Sequence, residues 1–482
     1  MTASRSRGVR LGPRRSRRPR SLLLFIGAPL LCAVGACTVG PPYSRPPADL
    51  PTTYRGSTTT PAPEQTATSI AEVPALDVFA EDALQRLLKQ AFTDNFDVRI
   101  AAARVTEAEA ALRITRADQF PEVDAQAEAI GQRTGFTTPG ARRTIGGTGF
   151  GLAAAWQLDF WGRYRRATEA ARAELAATEW GRRAVVATLV SDLATAYFTL
   201  RTLDDELDVS RRTLDSRRES LRLTQIREQG GATSLVDVRQ AEQLVYDASS
   251  EIVTLEREIE QQENLISVLI GSNPRSIDRD ETALAPLTAE VPEGLPSSLL
   301  EQRPDIQEAE QQLIAANAQI GVARAAYFPS IALTGSAGVQ STALTALLSG
   351  ASTVWTATAA LTQPIFTAGR THAQVAVAEA QREERLLAYQ QVIQRAFREV
   401  SDALVEYRRR REFRELQTSL VTSARDARRL AEVRYQGGAA SYLEVLDADT
   451  RLFSAELGVA DAQLRERTAF VEIYRALGGG WR

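Results

Sequence analysis

The sequence has few of the residues from which catalytic and metal-binding sites are usually built. Its 482 residues include one histidine, His372, and two cysteines, Cys32 and Cys37, which lie close together near the N-terminus. The chain therefore has too few cysteines and histidines to build a disulfide framework or a Cys/His zinc site. Lys89 is the only lysine, so the chain has no Gly-Lys-Ser/Thr phosphate-binding loop. It also has no G-x-S-x-G elbow, and a Ser-His-Asp triad would depend on His372 alone.

One short motif has the spacing of a dinucleotide-binding loop. The segment Gly149–Ala154 reads GFGLAA and matches G-x-G-x-x-A. It leads into an alternating strand pattern rather than a helix, so we interpret its glycines as strand residues and not as a dinucleotide site. We therefore expect no enzymatic activity, no metal and no cofactor, apart from a covalent lipid that the N-terminal pattern predicts.

The charge balance also argues against a nucleic-acid partner. The formal net charge is −3, and residues 1–36 contribute eight arginines and no acidic residue. Removing those eight positive charges leaves a mature chain of −11. So acidic a chain lacks the basic face that phosphate contacts need.

The N-terminus has the pattern of a targeting segment. Residues 1–36 form an arginine-rich start followed by a short apolar run that ends in small residues. The ending VGAC, Val34–Cys37, resembles a bacterial lipobox, which predicts diacylglycerol and palmitate on Cys37. The alternative is an ordinary secretory signal with a chance cysteine. The stretch 37–80 is rich in Pro, Ser and Thr at its start, which predicts an extended tether.

The rest of the chain is a tandem duplication. The phrase QGGATSLVDV begins at Gln229, and QGGAASYLEV begins at Gln436, 207 positions later. Three further landmarks, a Phe-Pro pair, a Gly-Arg pair and a terminal glycine, keep this offset within one residue. The sequence predicts a first repeat at 81–271, a linker at 272–296 and a second repeat at 297–482.

Each repeat reads as helix, two strands, long helix, glycine turn and returning helix. No proline occurs between Arg163 and Arg227, and apolar residues from Val186 to Leu221 follow a heptad seam. This pattern predicts a supercoiled helix of about 65 residues, roughly 100 Å long. Glycine at the end of such a helix favours a left-handed C-cap, so we expect the chain to reverse there.

Four strands of about ten to thirteen residues are predicted, close to the ~9–11 that cross a membrane. Apolar and polar residues alternate in them, and aromatic residues flank them: Phe120, Phe160, Trp161, Tyr327, Phe328, Trp355 and Phe366. Four strands cannot close a barrel, and open edges are not viable in lipid. Two chains would give eight strands and three would give twelve. The number of strands alone does not decide between a dimer and a trimer. The alternative is a soluble four-stranded sheet with aromatics in its core.

Several segments resemble one known family, the TolC-like outer-membrane efflux proteins, and especially its OprM-like or NodT-type lipoproteins. They are CTVGPPYSRP after the lipobox, WQLDFWGR, QPIFTAGR, RYQGGAASYLEVLDA and the long segment Arg303–Gly335. The resemblance covers nearly the whole chain from Cys37. It implies a mixed α/β membrane protein and a homotrimer. Three chains with four strands each would form a 12-stranded outer-membrane barrel, continued by a long periplasmic α-helical barrel.

The same resemblance implies a function and a location. The chain would be the passive outer-membrane conduit of a tripartite efflux pump that exports drugs or other small molecules from a Gram-negative cell. Its partners would be a periplasmic adaptor, an inner-membrane transporter of the RND type and outer-membrane lipid, and no nucleic acid. The alternatives are a type I protein-secretion exit duct and a structural coiled-coil lipoprotein.

The family resemblance also assigns candidate site residues. Two hairpin tips would contact the adaptor through Gly230, Gly231, Ala232, Ser234, Leu235, Gly437, Gly438, Ala439, Ser441 and Tyr442. A periplasmic gate would be formed by Leu443, Glu444 and Asp447. Positions 443 and 447 are four apart and so share one helix face.

Overall fold

The computed structural model describes residues 38–47, 50–51, 53–55, 69–135, 142–279, 296–348 and 352–481. The predicted signal peptide, Cys37 and most of the linker at 272–296 lie outside these residues. The chain divides into two compact units. One contains residues 38–41, 116–167 and 320–375, and the other contains most of the helices.

The first unit is built on one antiparallel sheet in the order β1-β2-β3-β4. Its strands are β1, Glu122–Gly135; β2, Arg142–Leu158; β3, Ser330–Ser341; and β4, Thr353–Thr362. They have 14, 17, 12 and 10 residues, so the two strands of the first repeat are longer than the alternating pattern predicts. Pairing of β2 with β3 joins the two repeats, and β1 and β4 form the edges.

The strand register places most of the large apolar residues of the four strands on one face, while Ile130 and Val354 lie on the other. The apolar face contains Val123, Ala125, Ala127, Phe150, Leu152, Ala154, Trp156, Ile331, Leu333, Ala337, Val339, Trp355, Ala357, Ala359 and Leu361. The other face contains carboxylates, amides and hydroxyls, such as Ser336 and Thr356, whose side-chain oxygens are 2.8 Å apart. On the apolar face, Trp355 is 74% exposed and Leu361 65%. Trp355 and Leu361 therefore do not lie in a core within the chain, which argues against the soluble sheet with buried aromatics.

Aromatic residues mark two levels on this sheet. One end of every strand is joined to a helix, and Phe120, Trp161, Tyr327, Phe328 and Phe366 flank this helix-side end. Trp355 lies seven residues along β4 from Thr362, or about 23 Å at ~3.3 Å per residue. This height is close to the ~25 Å apolar band of membrane barrels, whose two interfaces carry aromatic girdles. The extra length of β1 and β2 extends beyond this band.

The helices repeat with the offset found in the sequence. They are α1, Ala75–Val78; α2, Asp82–Asp94; α3, Phe96–Ala117; α4, Arg163–Gln229; α5, Leu235–Leu269; α6, Leu299–Gln302; α7, Pro304–Ala325; α8, Arg370–Gln436; and α9, Tyr442–Ala476. Both α4 and α8 have 67 residues, and both α5 and α9 have 35. Each pair is displaced by 207 positions. Short 3₁₀ turns occur at Ile70–Glu72, Pro296–Ser298 and Leu344–Ala346.

The heptad seam of α4 is buried as predicted. Leu193 and Leu200 are fully buried, and Leu207 and Leu214 are 8% and 7% exposed. One stretch of α4 has the length and mean hydropathy, 1.2, of a membrane span, but 56% of it is buried within the protein. This burial is typical of a core helix.

One predicted helix is in fact two. The sequence predicts a single helix from Glu81 to Gln119, but the structure breaks it at Asn95, whose backbone is extended. The Asn95 Nδ2 donates to the Leu269 carbonyl at 2.9 Å, and its Oδ1 accepts from the Val98 amide at 3.0 Å. The single-helix prediction was wrong because Asn95 caps the second helix through Val98 and is held by the distant carbonyl of Leu269.

A half-buried carboxyl group on α4 makes the stability of the helical unit depend on pH. Burial, followed by repulsion from Asp461, Glu251, Glu258 and Asp205, raises the pKa of Glu206 from 4.5 to about 7. A raised carboxyl pKa means that the folded chain keeps a proton that the unfolded chain releases. Between those two values, stability therefore rises as the pH falls.

We predict that Glu206→Gln stabilises the protein at about pH 8 and that this advantage shrinks as the pH approaches about 5. The measurement is the thermal midpoint of the helical circular-dichroism signal of both proteins across this range. Glu412→Gln, on the exposed surface of α8, serves as the control. A wild-type midpoint that stays parallel to that of Glu206→Gln would contradict the prediction.

Candidate functional site at the hairpin tips

The two hairpin tips are built in the same way. Gly231 and Gly438 have φ of +69° and +73°, a left-handed conformation that favours glycine. The amide of the next residue reaches back to the helix, from Ala232 to the Arg227 carbonyl and from Ala439 to the Arg434 carbonyl, both at 2.8 Å. These bonds satisfy carbonyls that the helix end would leave open.

The first tip is closed by a capping box at the start of α5. The Asp237 amide donates to the Ser234 Oγ at 3.4 Å, and the Ser234 amide donates to the Asp237 carboxylate at 3.0 Å. The Thr233 hydroxyl donates to the same carboxylate. The hydrogen bond from Thr233, followed by that from Ser234, holds the pKa of Asp237 below its usual range. The start of α5 is thereby fixed.

The second tip uses an ion pair instead of a side-chain cap. Ser441 makes no side-chain cap bond, while Arg434 Nη1 lies 2.9 Å from the Glu444 carboxylate. Tyr442 is only 6% exposed, and its ring lies 5.3 Å from that of Tyr435. Burial raises the pKa of Tyr442. The side chain of Tyr442 therefore packs inside the hairpin, and contact of this residue with a partner stays a prediction.

The other predicted tip residues are exposed. They are Gly230, Gly231, Ala232, Ser234, Leu235, Gly437, Gly438, Ala439 and Ser441. Most of them are small, so another backbone could approach both tips closely. The tips differ in chemistry, since Leu235 presents a large apolar side chain, 55% exposed, where Tyr442 is buried.

The predicted gate residues lie on the first turns of α9. Leu443 is 60% exposed, and Asp447, one turn later, has a 60% exposed side chain paired with Arg451 at 2.8 Å. These two residues share an exposed face, as their spacing predicts. Glu444 instead pairs with Arg434 of α8.

Sequence reasoning missed a buried charge that ties the two hairpins together. The Arg217 side chain is 2% exposed, and its Nε donates to the Asp449 carboxylate at 2.9 Å. Its Nη1 donates to the Leu244 carbonyl at 3.0 Å and to the Asp247 carboxylate at 3.3 Å. The guanidinium also lies 4.9 Å from the ring of Phe453. Arg217 of α4 therefore contacts both returning helices.

A sequence signal for this contact was available. The heptad seam of α4 skips positions 210 and 217, which hold Ser210 and Arg217, and both are buried, at 0% and 3%. A charged residue at a seam position needs a partner. The sequence does not reveal that the partner is Asp449, 232 residues later.

A groove of about 660 Å³ opens beside the gate, between α8 and α9. Its α8 wall includes Leu420, Ala424 and Ala427, and its α9 wall includes Asp447 and Arg451. Both walls mix small and polar side chains, and the charged residues lie on the α9 wall.

Comparison with known proteins identifies the architecture. The sequence pattern described as "Outer membrane efflux protein" matches residues 87–272 and 295–479, one match in each repeat. The chain belongs to the outer membrane efflux protein family. The solvent efflux pump outer membrane protein SrpC of Pseudomonas putida is 38% identical to it, with 94% of this chain and 97% of SrpC covered.

Other outer membrane efflux proteins are similar over almost their full length. The cation efflux system protein CusC of Escherichia coli is 34% identical, with 96% of this chain and 99% of CusC covered. The open-state MtrE outer membrane channel of Neisseria gonorrhoeae superposes with a TM-score of 0.83 at 30% identity. That superposition covers 92% of this chain and 99% of the MtrE chain.

These findings confirm the family, the fold class, the general function and the location. This outer membrane efflux protein is the outer-membrane channel component of a tripartite efflux pump, with a periplasmic part. Three chains, each with four strands, form its barrel. It works with an adaptor and an inner-membrane transporter.

We predict that Arg217→Ala loosens the tips. Asp449, whose side chain is 14% exposed, would keep only Arg428 at 3.7 Å, and breaking a buried pair costs about 3 kcal/mol. Native-state hydrogen exchange of tip amides in α5 and α9 should therefore accelerate. Arg222→Ala, which removes an exposed pair with Glu219, should leave exchange unchanged. Equal effects of the two substitutions would refute the prediction.

Proposed function

We propose that the two hairpin tips of this outer membrane efflux protein receive helical hairpins of the periplasmic adaptor. The observation that carries the proposal is the same exposed, glycine-built tip in both repeats, at Gly230–Ser234 and Gly437–Ser441. A duplicated tip offers two similar positions in each chain and therefore six in a trimer. Glycine, alanine and serine allow the close backbone approach that helix-to-helix docking needs.

The groove between α8 and α9 supports the same partner chemistry. An amphipathic helix lays its apolar face into an apolar groove and reads it at i, i+3, i+4 and i+7. Leu420, Ala424, Ala427 and Ala431 repeat with a similar spacing along the groove wall. An adaptor helix with small or aliphatic residues at those intervals fits this surface.

The gate of the conduit is formed by Leu443, Glu444 and Asp447. Around a threefold axis, the exposed face of α9 would place three leucines and three aspartates at one level. Clustered carboxylates in a narrow mouth favour cations and repel one another. The Asp447–Arg451 pair and the Glu444–Arg434 pair hold these carboxylates in place within each chain.

The cargo is selected by the inner-membrane transporter, of the RND type, and the conduit itself is passive and performs no reaction. One relative carries "solvent" in its name and another carries "cation", so related conduits serve chemically different exports. Drugs or other small molecules are the class that this conduit would pass. No cofactor is required beyond a covalent lipid, diacylglycerol with palmitate, on Cys37.

We predict that Ala439→Trp abolishes efflux while the trimer stays intact. Ala439 is exposed at the second tip, and an indole there would hold a docking helix away. The measurements are drug susceptibility of a deletion strain that carries each variant, and the trimer band on a native gel. Ala439→Ser, which keeps a small side chain, should complement like wild type. Normal efflux with Ala439→Trp would overturn the docking proposal.

We predict that Leu443→Ala combined with Asp447→Ala raises the single-channel conductance in planar bilayers. The double variant removes an apolar plug and a charge from the same exposed face. Leu416→Ala, an exposed leucine on α8 away from the tip, is the control. Unchanged conductance in the double variant would mean that this face is an ordinary solvated surface.

A further inference from the structure

A small cavity lies between the two hairpins, near the start of α9. Helices α4, α5, α8 and α9 all contribute residues to its wall. The space open to the centre of a water molecule is about 10 Å³, which is close to the least that one buried water needs. The lining residues are Arg217, Ser220, Ala241, Leu244, Arg428, Tyr442, Val445, Leu446 and Asp449. The cavity therefore has room for one water molecule and for little more.

Two arginines line this cavity, and each has a buried nitrogen without an acceptor. Arg217 is 3% exposed. Its Nε and Nη1 donate to carboxylates and to a carbonyl of the returning helices, but no group in the described part of the chain accepts a hydrogen bond from its Nη2. The Arg428 side chain is partly exposed, yet its Nε is buried and also lacks an acceptor among the described residues. A buried donor that loses its hydration and gains no partner is costly, so both nitrogens need an acceptor.

The carboxylate closest to pairing with Arg428 is too distant for a direct hydrogen bond. The Oδ1 of Asp449 lies 3.7 Å from the Nε of Arg428, beyond the roughly 3.2 Å at which N–H···O bonds usually end. A polar contact of this length is often bridged by a water molecule. The other oxygen of the same carboxylate, Oδ2, accepts from the Nε of Arg217. Asp449 therefore stands between both arginines and can accept a further hydrogen bond at Oδ1.

We propose that the cavity binds one water molecule, which accepts from the Nη2 of Arg217 and the Nε of Arg428 and donates to the Oδ1 of Asp449. Three hydrogen bonds are the usual number for a buried water. The two guanidinium groups alone would suit a chloride ion, but the carboxylate would repel it, and a chloride ion is larger than a water molecule. The ligand is therefore a neutral molecule that both accepts and donates.

The water site belongs to one arrangement of the hairpins and is not repeated by the duplication. The residues displaced by 207 positions from Arg217 and Arg428 are Ala424 and Leu221. Neither has a side-chain donor, so the duplicated positions cannot bind a water in the same way. Each chain therefore has one such site, built from α4 of the first repeat and from α8 and α9 of the second.

The site lies on the buried side of the segment that carries the predicted gate residues. Asp449 follows Asp447 by two residues, which is about 200° around the helix axis. The Asp447 side chain is 60% exposed, whereas that of Asp449 is 14% exposed. The water therefore joins the inner face of the first turns of α9 to α4 and α8. This inference depends neither on adaptor docking nor on the gate.

The test is a density map of the purified trimer at a resolution that shows the buried waters of the helical unit. Wild type should show one peak within hydrogen-bond distance of the Nη2 of Arg217 and the Nε of Arg428. The peak should disappear in Arg428→Met, which keeps an unbranched side chain but removes the donor. Arg425→Met, three residues earlier on α8, removes an exposed pair with Glu456 and should keep the peak. In solution, the amides of Tyr442–Asp449 should exchange roughly tenfold faster in Arg428→Met than in Arg425→Met.

A bromide soak separates water from a halide. Bromide should give no anomalous peak in the cavity, and a peak there would overturn the water and assign a halide instead. A wild-type map that shows other buried waters but none at this position would overturn the site, and so would a peak that remains in Arg428→Met. Equal amide exchange in the two methionine variants would show that the water does not hold the first turns of α9.

Discussion

The assembly of several chains into one barrel follows from the two open edges of the sheet in each chain. Strands β1 and β4 each pair on one side only, and the sheet presents a continuous apolar face with Trp355 and Leu361 exposed. In lipid, each unpaired backbone group costs several kcal/mol, so the edges must meet other strands. Closure by three chains satisfies them and leaves the polar face inside. Each chain of the outer membrane efflux protein therefore supplies one third of the barrel.

Duplication accounts for how one chain supplies this third. The long helices of the two repeats have the same lengths, 67 residues in α4 and α8 and 35 in α5 and α9. Each repeat adds two strands to a single sheet through the β2–β3 pair. The repeats have diverged where function is expected. The first tip relies on the Ser234–Asp237 capping box, and the second relies on the Arg434–Glu444 pair and a buried Tyr442.

Three buried charged residues lie where segments from distant parts of the chain meet. Arg217 ties α4 to both returning helices, Glu310 is neutralised by Arg45, and Arg166 holds the backbone of Val39 and Gly40. Each is a buried charge whose loss would leave an uncompensated group. Apolar seams can slide by a turn with little penalty, but such charge pairs fix one register. They set which helix lies against which, within a framework that leucines and alanines hold together.

Most of the fold could be predicted from the periodicity of the apolar residues and from the glycine turns. The heptad seam predicted the long helices, the period of two predicted the strands, and the glycine phrases predicted both tips, because these signals act over a few residues. The resemblance supplied the trimer and the candidate site. Most of the candidate tip residues, and the face of Leu443 and Asp447, are exposed in the structure, and their roles stay predictions. Only the tertiary structure decided four features. They are the break at Asn95, the burial of Tyr442, the partner of Arg217 and the close contact between Gly40 and Gly321. Each depends on a contact between residues far apart in sequence, and a local sequence pattern does not identify the distant residue that makes the contact.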